Sequence, residues 1–469
     1  MSTVNEEFTH RGYFFLPNKE SEQVFGTLMF IPNKEIKLEL AGSLTNDLGI
    51  FGGEERIDFI LGYMLDGKKI TLYKCHISNR SASFPGYLRN DYTALYLFVG
   101  GHFDSEEKLK FSAAYFQFNN LDEWLNISGF KIDDSRFITN KEILINYKLP
   151  EKITYQIDST INYGFEFGFS GPQTNAYQKH IKIEQQTHFY FNFTAQQQAL
   201  NKILQLSNNF QNFLALATLE VVYPSSIILI NNELFQESDN EKIPDKIDLY
   251  FVRNKIFNEP KIINRFEMLF SFEIIKESFP KIFKKWLTIC DDVEPSINLL
   301  FDYIYRSRVF TTNHFLNIIF AVETYHRKRY KNYLIMSDSQ KNRLENILSV
   351  TPIEHREWLK EKLAFSYEPS LQERLIEIIK SINSPVLLKA IGDIDETITN
   401  AKNSRNYYVH FSPRLEKKVL KGGLLFQLTE KLKYILIYCL LRDIGLSETT
   451  IDNLFIKNKY RFLDYLNRY

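Results

Sequence analysis

The sequence predicts an α+β multidomain protein, with a β-rich N-terminal domain over residues 1–260 followed by an all-α helical bundle over 261–469. Three observations carry this prediction. The chain has 469 residues, more than one hydrophobic core accommodates. Its apolar residues change period, from short β-branched and aromatic runs before residue 193 to spacings of three and four, and beyond about 262 the helical period holds almost throughout. Its composition, 44% hydrophobic and 24% charged, matches globular averages and supplies enough apolar material for several cores.

The elements follow in order. The clearest early unit is a hairpin of strands 56–65 and 68–77 around Asp66-Gly67, a pair that adopts the positive φ angles of a tight turn. Further strands are predicted at 35–40, 94–99, 152–157, 163–169 and 188–193. Thr194 is then expected to cap a long helix, because Leu200, Ile203, Leu204, Phe210, Phe213 and Leu214 recur at helical spacing. Strands at 227–230 and 247–252 flank a polar segment, 237–245, that reads as a surface loop. In the helical half, Pro280, Pro295, Pro352, Pro369, Pro385 and Pro413 mark off helix-sized lengths.

Charge and cysteine content narrow the function classes. With 57 basic and 57 acidic residues there is no global field to draw the chain onto nucleic acid or an anionic membrane, so any RNA contact must be local. Cys75, Cys290 and Cys439 are far apart and odd in number, which indicates neither a disulfide framework nor a CxxC metal site. His76 and His102 lack the partners of a metal site, and neither metal nor cofactor is expected. The acidic start, MSTVNEEFTHRGYFF, is unlike a signal peptide, and no apolar run approaches a membrane span. A cytoplasmic protein is expected.

The chemistry-bearing segment is 394–412, IDETITNAKNSRNYYVHFS, in which Ile394, Ile398, Ala401 and Tyr408 mark one expected buried stripe. Arg405 and His410 lie at its downstream end. Five residues apart on an unbroken helix they point about 140° away from each other, so they converge only if the helix ends between them. Pro413 favours an end nearby, since the residue before proline avoids the α region. Arg405, Asn406, three residues and His410 resemble the Arg-x4–6-His motif of HEPN domains, small helical bundles in which the residue after the arginine is typically polar. In a second pair that fits the same loose pattern, Arg308 and His314, Val309 follows the arginine and the intervening Thr311, Thr312 and Asn313 read as a helix start, so the pair is set aside.

The context of the motif extends the resemblance. The stretch 315–330, FLNIIFAVETYHRKRY, resembles the helix of ApeA-like HEPN domains that bears a glutamate, and Glu323 occupies its position. Gly422-Gly423 and a final amphipathic helix, 424–441, follow the motif. In the N-terminal half, GYFFLP at Gly12, VFGTL at Val24, the Asp66-Gly67 hairpin, GGHF at Gly100 and the 121–124 ending resemble the N-terminal domain of the ApeA anti-phage family.

The resemblance implies a metal-independent endoribonuclease of abortive-infection defence, with RNA as substrate, tRNA as one candidate, and a phage-derived trigger. RNA carries a 2′-hydroxyl that can attack its own phosphate, given base, acid and charge stabilisation. Imidazole exchanges protons near neutral pH, suiting His410 to acid or base. Arg405 is suited to hold phosphate oxygens and Asn406 to orient phosphate or histidine. HEPN ribonucleases are generally dimers with facing motifs, so a homodimer through the helical domain is expected. Glu323 either holds Arg405 or pairs with Arg327 four residues on. Arg327, Lys328 and Arg329, with His326 and Lys331, form a basic cluster that either holds RNA or is a solvated helix end, and Tyr407 is a candidate base-stacking residue. The alternative is a non-catalytic binding and dimerisation module with an N-terminal ligand-recognition domain.

Overall fold

The computed structural model describes residues 4–45, 56–82, 88–238, 241–252, 260–306, 310–330, 336–458 and 466. Arg308, Val309 and Lys331 lie outside the described residues. The chain divides into two compact units, residues 1–215 with 221–265, and residues 216–220 with 266–469.

Strand-forming sequence dominates the first unit. Strands Phe8–Phe15, Val24–Ile31, Glu35–Leu40, Leu88–Val99, Lys69–Ala82 and Arg56–Met64 pair antiparallel in that order, and the last pairs back to the first, closing a six-stranded barrel. The alternation of EIKLEL puts Ile36, Leu38 and Leu40 inside with Phe14, Leu28, Phe30, Ile60, Leu72 and Leu97. Gly12 is required where strands approach: a Cβ there would lie 2.2 Å from the Tyr63 carbonyl oxygen. At the Asp66-Gly67 turn only Gly67 takes a positive φ, of 85°, and the Asp66 carboxylate accepts from the Lys68 amide at 3.2 Å.

Leu88–Val99 forks between two partners along one edge. Residues 90–94 pair with Glu35–Leu40 to close the barrel, whereas residues 96–99 pair with Glu241–Phe251. From there the sheet continues through Pro224–Ser238, Ala113–Phe118, Ile181–Phe193, Ile161–Thr174 and Ile153–Gln156. One face of this sheet carries the helix Leu200–Thr218, whose Phe210 stacks on Phe189 at 3.5 Å between ring centroids. The barrel's closure is non-local and no pattern in the sequence announces it.

Two expectations are corrected here. Thr194 does not cap the helix; its hydroxyl donates to the Ser159 carbonyl and its amide to that of Thr160, and the helix begins at Leu200. The polar segment 237–245 is not a loop, because strands Pro224–Ser238 and Glu241–Phe251 run through most of it, with Phe235 opposite Pro244 and Ser238 opposite Glu241. Its polarity reflects solvent-facing strand positions rather than absent structure.

The second unit is helical. Prolines start its helices as their fixed φ and missing N–H allow: Pro280 in Phe279–Asp292, Pro295 in Glu294–Tyr305 and Pro385 in Pro385–Ile391. Thr311–Arg329 begins where the sequence predicts a helix start. Gly422–Asp443 differs from expectation. From Gln427 to Leu441 it is buried on nearly every side, with only Lys431 half-exposed, rather than on one stripe, and it is followed by another helix, Glu448–Lys457. Among its polar side chains, buried Glu430 accepts from Lys433 at 2.6 Å and from the Tyr303 hydroxyl.

Candidate active site

The motif lies on the helix Ile394–His410, started by the Asp393 carboxylate accepting from the Glu396 amide at 2.8 Å. Its buried face is Thr397, Ile398, Ala401 and Ser404. Ile394 is exposed and Tyr408 only half-buried, so the predicted stripe shifts toward small residues. Small side chains let this helix approach Thr311–Arg329 closely; Tyr408 meets Phe315 at 6.3 Å, and its hydroxyl donates to the Leu420 carbonyl at 2.8 Å.

The helix does not end between Arg405 and His410. It runs through His410 and stops at Phe411, an exposed residue at φ 49°, before extended Ser412 and Pro413. Within one chain the two side chains therefore diverge, by about 140° on helical geometry. Arg405 turns inward: its guanidinium lies 3.6 Å from the Glu323 carboxylate and 6.0 Å from the centre of the Phe320 ring. Its Nη1 donates to Asn406 Oδ1 at 3.3 Å, and its buried Nε has no hydrogen-bond partner. His410 is exposed.

Asn406 connects the two. It touches Arg405 and stands one turn before His410 on the same helical face. Asn403, Asn406, Tyr407 and His410 thus form one partly exposed polar stripe at spacings of three and four. Asn403 was missed from sequence, although the spacing was there to be read. Tyr407 contacts both Tyr408 and Phe411 through its ring.

Among the remaining candidates, Glu323 reaches Arg405 and not Arg327, which pairs with Glu368 at 3.2 Å. Arg329 is held by Asp443 at 2.9 Å. Lys328 is exposed. His326 departs from the solvated basic cluster: it is fully buried, stacks on Tyr330 at 4.5 Å, and burial pushes its pKa down. His76 and His102 bond within the barrel to Thr93 Oγ1 and the Gly62 carbonyl. No group of three histidine, cysteine or acidic side chains suited to a metal is assembled among the described residues.

An all-α unit with an Arg–Asn–x3–His motif on one helix, and a glutamate from an upstream helix paired to that arginine, has the arrangement expected of a HEPN-class domain. The family model of the Apea-like HEPN domain matches residues 316–450, and that of ApeA N-terminal domain 1 matches residues 9–286. The chain belongs to the ApeA family. The N-terminal match runs past residue 265, where the first compact unit ends, as far as Trp286. No curated protein and no solved structure matches the chain. The family places the chain with anti-phage defence nucleases, and HEPN domains are typically ribonucleases. No described helix is long and apolar enough to cross a membrane.

Proposed function

We propose that the helical unit is a metal-independent endoribonuclease of bacterial anti-phage defence, which acts in the cytoplasm as a homodimer and cuts RNA, with tRNA as a candidate substrate. One observation carries this reading: the arginine is anchored inward by Glu323 while the histidine stands exposed on the Asn406 face of the same helix. A phosphate needs both kinds of group around it, and one chain points them apart. Two facing copies would supply a histidine on each side. Exposed Val409, Phe411, Leu424 and Phe426 occur close to the motif in the chain and give such a contact apolar surface.

The chemistry follows from the groups. One His410 takes the 2′-hydroxyl proton as the O2′–P bond forms, and the partner's His410 gives a proton to the leaving 5′-oxygen as its bond to phosphorus breaks. Arg405 holds the phosphate oxygens as charge develops, with Asn406 and Glu323 fixing its direction. The β-rich unit serves as sensor of a phage-derived trigger.

The test uses purified full-length chain and a mixture of cellular RNAs that includes tRNA. Cleavage that persists with chelator and disappears with His410→Ala or Arg405→Ala is expected. Cleavage retained by either variant overturns the site, and cleavage unaffected by a 2′-deoxynucleotide at the cut position overturns 2′-hydroxyl attack. The inward turn of Arg405 also fits a non-catalytic dimerisation module, and a stable dimer that leaves every RNA intact in the presence of trigger would establish that reading instead.

A further inference from the structure

The turn of helix that carries Glu323 also carries His326 and Arg327, and both side chains lead to the same third residue. His326 Nδ1 lies 3.2 Å from Nη1 of Arg374, on the helix Leu371–Lys380. Arg327 binds the Glu368 carboxylate at 3.2 Å, and that carboxylate binds Arg374 Nη2 at 3.0 Å. A third hold is the Pro369 carbonyl, which accepts from Arg374 Nε at 3.0 Å. Arg374 is 3% exposed, an unusual depth for a guanidinium.

The protonation state of His326 follows from its neighbours. A guanidinium only donates, so Nδ1 must offer its lone pair, and the proton sits on Nε2, 2.8 Å from the Glu377 carboxylate. Neutral His326 thus fixes Arg374 from one side and Glu368 fixes it from another. A further tie joins the helix of Arg374 to the motif helix itself, for Lys402, one turn before Arg405, donates to Gln372, two residues before Arg374, at 2.9 Å.

We propose that Arg374 is a positioning residue of the site: held by His326 and Glu368, it anchors the helical turn that carries Glu323 and so fixes the direction of Arg405. The electrostatics agree. Burial and Arg327 weaken Arg374's hold on its proton, while Glu323 acts in the opposite sense along with Glu368. The Glu323 carboxylate meets Arg405 at 3.6 Å, and a misplacement of about 1 Å at a reacting group lowers rates on the order of a hundredfold.

This inference rests on the nuclease reading, and its test separates the two. RNA cleavage and thermal unfolding are measured on full-length wild type, His410→Ala, Arg374→Gln, Arg374→Lys, Glu323→Gln and the Arg374→Gln/Glu323→Gln double variant. We expect Arg374→Gln to lower kcat by roughly tenfold to a hundredfold. The same substitution should have little further effect in the Glu323→Gln background, because residues acting through one another are not additive. Arg374→Lys retains the charge and should recover part of the rate, and it remains informative if Arg374→Gln fails to fold. A purely structural arginine would instead lower the melting temperature and reduce kcat by the same factor in both backgrounds, which overturns the proposal. Full activity of Arg374→Gln overturns it as well. Equal cleavage by wild type and His410→Ala brings down the nuclease reading and Arg374's role with it.

Discussion

Substituting Glu323 by glutamine tests the pair at the centre of the site. The change keeps shape and removes charge from a group whose side chain is 18% exposed, facing an arginine side chain that is 25% exposed at 3.6 Å. At an effective dielectric near 20 that separation corresponds to roughly 4 to 5 kcal/mol of gross attraction. Solvent access and side-chain ordering reduce the net value to about 1 to 2 kcal/mol, between exposed pairs and fully buried ones. For a unit of this size such a loss lowers the melting temperature by roughly 3 to 6 °C. RNA cleavage should fall further than stability does, on the order of tenfold to a hundredfold, since Arg405 keeps its charge but loses its direction. Glu323→Asp, which withdraws the carboxylate by one methylene, about 1.5 Å, should resemble glutamine rather than wild type. Calorimetry and a cleavage assay on the same preparations read both effects. Unchanged melting together with unchanged cleavage in Glu323→Gln would refute the pairing and the role built on it.

Other outcomes follow from single features. Burial lowers the pKa of His326 from 6.5, so the unfolded chain binds that proton more readily; the stability is present above about 6.5 and is lost as pH falls through the lowered value. The melting-temperature gap between wild type and His326→Asn should therefore shrink from pH 7.5 to 5.5, and a constant gap would contradict the neutral assignment. Phe411 sits at φ 49° and is 69% exposed; Phe411→Gly should relieve about 1 kcal/mol of left-handed strain and raise the melting temperature, and a lower value would show that its ring is packed. Gly12→Ala would place a methyl 2.2 Å from the Tyr63 carbonyl oxygen and should cost about 3 kcal/mol or more by forcing the strands apart; far-ultraviolet dichroism on heating would detect it, and wild-type melting would contradict the predicted clash. Glu430→Gln breaks a buried pair with Lys433 and should destabilise the helical unit by about 3 kcal/mol, a prediction that fails if denaturant midpoints coincide.

Much of the fold is legible in local pattern. The strand Glu35–Leu40 and the helix start at Thr311 follow from periods of two and 3.6 and from turn chemistry, which act between residues close in sequence. Where polarity was read as irregularity, at 237–245, the reading failed, because a solvent-facing hairpin is as polar as a loop. The motif likewise marked Arg405, Asn406 and His410, but not that the helix continues through them and turns the arginine inward.

By itself the sequence determined many of the strand and helix segments, that two architectures follow one another, and which residue types could handle a phosphate. Only the tertiary structure decided that six strands close into a barrel, that the helix Gly422–Asp443 is buried on nearly every side from Gln427 to Leu441, and that Glu323 chooses Arg405 over Arg327. It also drew His326 out of a basic run into a buried contact with Arg374. The physical reason is common to these cases. Backbone periodicity is fixed by neighbours a few residues away, whereas the partner of a charged side chain depends on which distant helix packs against it and on the register at which it does so.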